Sequence, residues 1–225
     1  TYSYNYSSST DLVVKVTPED GIKVNQILGR TGFECKELIK TFTFEKATSS
    51  NKTIYEKVAA RFGLKPEQIR LWTSYYQFSP YSVLDDKDST LTTFTSLFIQ
   101  KKPEDEDLEI SQKINILMKF FDLTLPVPLQ YLGSTLFEKT EPISALFPKV
   151  IQILGLPENL ADKLLAFQEN SDYARSFEST KTFQSEYSSF QSIIFQFEQK
   201  FDDEGKSERE ALLKTSTFRF TTKED

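Results

Sequence analysis

Cys35 is the first residue whose side chain could do chemistry. A thiol acts as a nucleophile only once it becomes a thiolate, which needs a base or a cationic neighbour. Histidine, the usual base, does not occur in the 225 residues, so Lys36, Arg30 and Lys40 are the nearby groups able to lower its pKa. A free structural thiol is the simpler reading. Three carboxylates, Asp85, Asp86 and Asp88, cluster closely enough to suggest a cation site or an acid–base pair. Lys87 stands among them, and both the DxDxDG order and the distal Glu of a calcium loop are missing, so a solvated loop is expected. The stretch Gly29-Arg30-Thr31-Gly32 has the GxxG spacing with which some RNA-binding loops clamp a phosphodiester chain. That use requires a helix on each side and a basic surface, whereas the flanking residues read as a hairpin loop. With seven glycines in all, the chain has no dinucleotide or nucleotide phosphate loop, and it has no HExxH helix. We therefore expect no catalytic residue, no metal site and no cofactor. The aromatic run Tyr75, Tyr76, Phe78 and Tyr81, after Trp72, reads either as packing beneath a long loop or as an exposed adhesive surface.

The elements that must position these residues show an internal repeat. An apolar helical pattern ends in Arg61-Phe62-Gly63-Leu64-Lys65-Pro66-Glu67 and leads into Ile69-Arg70-Leu71-Trp72, which reads as a strand. A second helical face, Ile143, Leu146, Phe147, Val150, Ile151 and Leu154, ends in Gly155-Leu156-Pro157-Glu158. In each case a glycine able to take the left-handed conformation is followed by a proline that stops the helix from resuming. The glycines lie 92 positions apart, a period that fits a domain duplication better than a solenoid.

Strands are expected at 12–17 and 38–45 before the first helix and at 114–121 and 129–137 before the second. Closing strands are expected at 97–100 and 193–197, where branched and aromatic residues suit a pleated surface. Two strands, one main helix and further strands in about 90 residues describe an α+β unit whose mixed sheet packs one face on the helix. A β-grasp is the simplest fit.

The first ten residues are low-complexity, and residues 11–102 form the first unit. Residues 103–107, a proline followed by four acids, read as an exposed linker, and residues 108–200 form the second unit. Within 201–225, Ser207 and Glu210 suggest a capping box at the start of a short helix. The alternating Thr and Phe of 215–222 suggest the first strand of a further unit.

Composition narrows the partners. A net charge of −6 opposes non-specific binding to nucleic acid or to an anionic membrane and favours basic partners. One cysteine excludes an intramolecular disulfide and points to a reducing intracellular compartment. The longest apolar stretches, such as 193–197, fall far short of the roughly 20 residues that span a bilayer.

The first repeat, Phe62-Gly63-Leu64 followed by Pro66-Glu67-Gln68-Ile69-Arg70-Leu71-Trp72, resembles the helix-to-strand passage of the herpesvirus-associated ubiquitin-specific protease family. In the second repeat, Ile116 to Asp122, Leu129 to Gly133 and Ser192 to Gln196 resemble strands of that family's next domain, in the right order. The likeness runs from about Leu12 to Glu204 and is to a fungal-type member. It implies the first and second of several tandem ubiquitin-like β-grasp domains that follow the protease domain, whose Cys and His boxes are absent here. It further implies a non-catalytic regulatory and partner-binding module of a deubiquitinase acting in the nucleus or cytoplasm. Expected partners are protein substrates or adaptors of the parent enzyme, or its own catalytic domain.

In that family the second domain resembles a docking surface for lysine-containing segments, using acids just before the closing strand. The corresponding residues here are Glu186, Tyr187, Phe190 and Ser192, with Glu186 the one acid where the family pattern carries four. A basic ligand would thus lose most of its charge-assisted hydrogen bonds, each worth about 1.5–3 kcal/mol. A free-standing adaptor built from the same two folds is the alternative function. Neither unit ends in the Gly-Gly needed for conjugation.

Overall fold

The computed structural model describes residues 11–30, 34–74, 82–86, 96–108, 110–122, 124–170, 173–183, 190–197 and 219–221. The low-complexity segment 1–10, the aromatic run 75–81, Asp88 and the expected capping box at Ser207 lie outside them. The chain forms two compact units, 1–21 with 34–109 and 22–33 with 110–225.

The first strand, β1 (Asp11–Pro18), alternates from Asp11 to Val16, with Leu12, Val14 and Val16 buried and Val13 half exposed. Such a period-two pattern commits one face to a core. After α1 (Gly21–Ile27) come β2 (Lys40–Glu45), α2 (Asn51–Arg61), a 3-10 turn at Pro66–Gln68, β3 (Ile69–Ser74), β4 (Ser82–Val83) and β5 (Ser96–Lys101). The sheet order is β2-β1-β5-β3-β4, with β1 and β5 parallel and every other pair antiparallel.

Helix α2 begins with a reciprocal cap: the Thr53 N–H donates to the Ser50 hydroxyl at 3.3 Å, and the Ser50 N–H donates to the Thr53 hydroxyl at 3.5 Å. At its other end Gly63 takes φ +70°, letting the Leu64 N–H reach the Ala59 carbonyl and the Gly63 N–H the Ala60 carbonyl. Between these ends Ile54, Tyr55, Val58 and Ala59 pack on Leu12, Val14, Val16, Phe44, Ile69, Leu71, Leu97 and Ile99.

The second unit repeats the plan. Its elements are β6 (Lys113–Phe121), β7 (Leu129–Glu138), α3 (Phe147–Leu154), β8 (Leu164–Asn170), β9 (Tyr173–Phe177), β10 (Phe190–Phe197) and β11 (Arg219–Thr221). The sheet runs β7-β6-β10-β8-β9-β11, with β6 and β10 parallel. Without β11, this is the strand order of the first unit. The expected helical face is present: Ile143, Leu146, Phe147, Val150 and Ile151 are buried, and Leu154 packs beside them. Residues 143–146 form a 3-10 turn and α3 starts at Phe147. Pro148 has no N–H to donate back to residue 144, and it is tolerated only in a first helical turn. Gly155, at φ +67°, ends α3 with the same pair of bonds that ends α2, Leu156 N–H to the Ile151 carbonyl and Gly155 N–H to the Gln152 carbonyl.

The hairpin loop expected around Gly29 is replaced in part by helix α1. Gly29 itself, at φ +67°, closes that helix: the Arg30 N–H reaches the Asn25 carbonyl and the Gly29 N–H the Gln26 carbonyl. Within the second unit Gln26 accepts a 2.7 Å bond from the Tyr131 N–H on edge strand β7.

The acidic segment 103–107 is mostly exposed, and it is anchored at its C-terminal end. Glu106 Oε1 and the Asp107 carbonyl each lie 2.9 Å from Arg70 Nη2, and Lys102 Nζ donates to the Glu106 carbonyl at 2.8 Å. Arg70 is only 2% exposed, and a buried guanidinium must find acceptors.

Candidate interaction surface

The residues expected to approach a partner surround the start of β10. Glu186 and Tyr187 lie outside the described residues. Phe190 opens the strand and is 4% exposed, so its ring is committed to the interior. Ser192 is half-buried and donates its hydroxyl to Glu169 Oε2.

Strand alternation explains what gathers there. Along β6, Ile114, Ile116, Met118 and Phe120 face the α3 core, so Lys119 turns to the opposite face. On β8 and β10, Ala166, Ile193 and Phe195 join the same core, which sends Glu169, Ser192 and Ile194 to the Lys119 side. Three neighbouring strands thus converge on one carboxylate, with Lys119 Nζ 2.9 Å from Glu169 Oε1 and 2.8 Å from Oε2. The lysine and glutamate side chains are 6% and 9% exposed. Phe121, Phe167, Ala174 and Ile194 form a small apolar cluster on this face. Lys119 thus contacts both oxygens of the Glu169 carboxylate. The arrangement positions strands.

The thiol in the first unit is enclosed. Cys35 is fully buried, and its Sγ donates to Glu37 Oε2 at 3.3 Å. Burial, aided by the Glu37 carboxylate, pushes the Cys35 thiol above its ordinary value. Lys40, a conceivable activator, donates instead to the Arg61 carbonyl at 2.9 Å and lies over the Phe62 ring. Gly21 makes room for this corner, since a Cβ there would meet the Cys35 Cβ at 2.5 Å.

Tyr55 projects from α2 beneath the sheet. Its hydroxyl donates to the Leu84 carbonyl at 2.7 Å and accepts from the Leu71 N–H at 3.1 Å. Burial raises the phenol well above the ordinary tyrosine range. Asp85 and Asp86 follow Leu84 and are exposed, and no trio of His, Cys, Asp or Glu among the described residues could hold a metal ion. No described helix is long and apolar enough to cross a membrane.

Sequence reasoning passed over Lys119, Glu169 and Arg70 as functional positions. The available signal was a lone charge inside an apolar strand, Ile69-Arg70-Leu71-Trp72 and Met118-Lys119-Phe120, since such a charge demands a partner.

No family model matches the chain, and no curated protein does. Among solved structures, the chain is similar to an Arabidopsis thaliana protein determined by combining evolutionary couplings with sparse NMR data. The two share 13% identity over 42% of this chain and 98% of the other, at a TM-score of 0.28.

Proposed function

We propose that the two units are tandem ubiquitin-like β-grasp domains, and that they serve as a non-catalytic regulatory and partner-binding module of a ubiquitin-specific cysteine protease. The observation that carries this reading is the repeated architecture. Both units order five strands of a mixed sheet in the same way, the second adding β11 at its edge, and in both the helix that packs on the core ends with the same glycine motif. The Ile-Arg-Leu-Trp passage that resembles the protease family occupies β3, buried along its whole length. The chemistry-bearing residues fit the same role, because Cys35 is held as a protonated thiol and Lys119 is paired with Glu169. The parent enzyme's protein substrates, adaptors or catalytic domain are the partners of this module.

The test measures ubiquitin release from a fluorogenic substrate by the parent protease, with and without this segment, alongside the isolated 225-residue chain. An inert chain, together with altered turnover or lost substrate recruitment on deletion, is the expected result. Cleavage by the isolated chain, or a parent enzyme indifferent to the deletion, overturns the proposal.

A further inference from the structure

Among the described residues the second sheet carries one strand more than the first, and its placement marks a binding edge. In the first unit the described sheet ends at β4, Ser82–Val83. The equivalent strand in the second unit, β9, has five residues, and all five pair with β8, from Tyr173 opposite Asn170 to Phe177 opposite Ala166. An outer edge of that length presents a row of backbone donors and acceptors that can take another strand. The segment Arg219–Thr221 lies along it in parallel, with Arg219 beside Tyr173, Phe220 beside Ala174 and Thr221 beside Arg175.

We propose that the β9 edge is a strand-addition site for an extended peptide of a partner protein, and that the chain's own segment 219–221 occupies it in cis. The register supplies the argument. The internal strand pairs with Tyr173, Ala174 and Arg175, while Ser176 and Phe177 extend the same edge beyond it. A partner strand of five residues spans the whole of β9. Parallel pairing is slightly the weaker kind per residue, so the internal strand acts as a replaceable plug. Tethering nevertheless gives the plug a high effective concentration that a free peptide must exceed. The partner chemistry is an extended run alternating aromatic and β-branched residues, as in Thr217-Phe218-Arg219-Phe220-Thr221-Thr222. This site uses a sheet edge separated from β10 by β8, and it holds whether or not the chain belongs to a protease.

The experiment uses the full 225-residue chain, its Phe220→Pro variant and a fluorescent peptide of residues 215–222. Proline removes a backbone donor and cannot pair as an interior strand residue. The variant is expected to bind the peptide at least ten-fold more tightly than the unaltered chain, read by anisotropy. Its β9 amides should exchange with solvent at least ten-fold faster, and added peptide should restore their protection. If the β9 amides are indifferent to Phe220→Pro, the internal plug is refuted. Failure of the peptide to bind the variant, or protection of some other strand, refutes the strand-addition site.

Discussion

Replacing Tyr55 by Phe keeps the ring that fills the first core and removes one oxygen, so the change isolates two hydrogen bonds. That oxygen joins the Leu71 N–H of β3 to the Leu84 carbonyl just beyond β4, at 3.1 and 2.7 Å. Each bond contributes about 1 kcal/mol net, and a buried amide or carbonyl left without a partner costs about 1–3 kcal/mol. Because the ring stays, no cavity penalty is added, and the expected loss is about 2–4 kcal/mol. Trp72 is the chain's one tryptophan and is fully buried in β3, so its fluorescence follows unfolding of this unit in urea. With a urea dependence of about 1–3 kcal/mol per molar, the midpoint should fall by roughly 1 M or more. The pH dependence gives a second arm. The folded phenol is raised above its ordinary value near 10. Above pH 10 the unfolded chain therefore releases a proton that the folded chain retains, and the stability of the unaltered protein falls by up to about 1.4 kcal/mol per pH unit. Tyr55→Phe lacks this contribution, so the gap between the two proteins should be full at pH 8 and shrink as pH rises beyond 10. A gap under about 0.5 kcal/mol at pH 8, or one constant from pH 8 to pH 11, would refute the reasoning.

Lys119→Met leaves the Glu169 carboxylate buried without its cation and should cost about 3–5 kcal/mol, whereas adding Glu169→Leu should restore most of that loss. Thermal melts of the two variants decide this, and a double variant no more stable than the single one would contradict the pairing. For Cys35, burial and the Glu37 carboxylate keep the thiol protonated, so alkylation at pH 8 should run about 100-fold or more slower in the native chain than in denaturant. Equal rates in the two states would place the thiol at the surface.

The repeat was legible because its punctuation is chemical. Gly63 and Gly155 each stand where a helix must turn left-handed, and each is followed by proline, so the helix ends could be located from residue type alone. Helix α1 escaped notice although Gly29 closes it with the same pair of bonds, because its seven residues hold too few turns for a helical period to stand out from a loop. The GxxG spacing there invited a ligand-binding reading, while the structure uses the first glycine as a helix terminus. Within the strand-like alternation of 215–222, the described residues 219–221 form β11, but its partner was not legible. Strand pairing is a long-range choice, and β11 lies beside β9 across more than 40 residues of sequence. The buried ion pairs failed to show for the same reason. Arg70 and Glu106 are 36 residues apart, and Lys119 and Glu169 are 50 apart, so no local spacing relates them.

These pairs bear on how each sheet is specified. Arg70 neighbours the core residues Ile69 and Leu71 on β3, and Lys119 lies between Met118 and Phe120 on β6, so both cations sit on the sheet face turned away from the helix. Apolar residues in their place would stabilise the folded chain as well or better, since a buried pair recovers little more than its own desolvation. Register discrimination is a different matter. If β8 slipped by one residue, Glu169 would turn into the α3 core, and Lys119 would remain buried without its acid. Each of these faults costs several kcal/mol, whereas an all-apolar face would resist the slip only through packing. The β6–β7 ladder changes register between Met118 and Lys119, opposite Gly133 at φ +122°. The Lys119 end of the ion pair therefore lies where the β6–β7 ladder is irregular, and the Glu169 end ties β8 to it across β10. On this argument the Lys119→Met, Glu169→Leu double variant should regain stability yet show faster amide exchange along β8 than the unaltered chain. Unchanged β8 exchange in that variant would mean that packing alone sets the register.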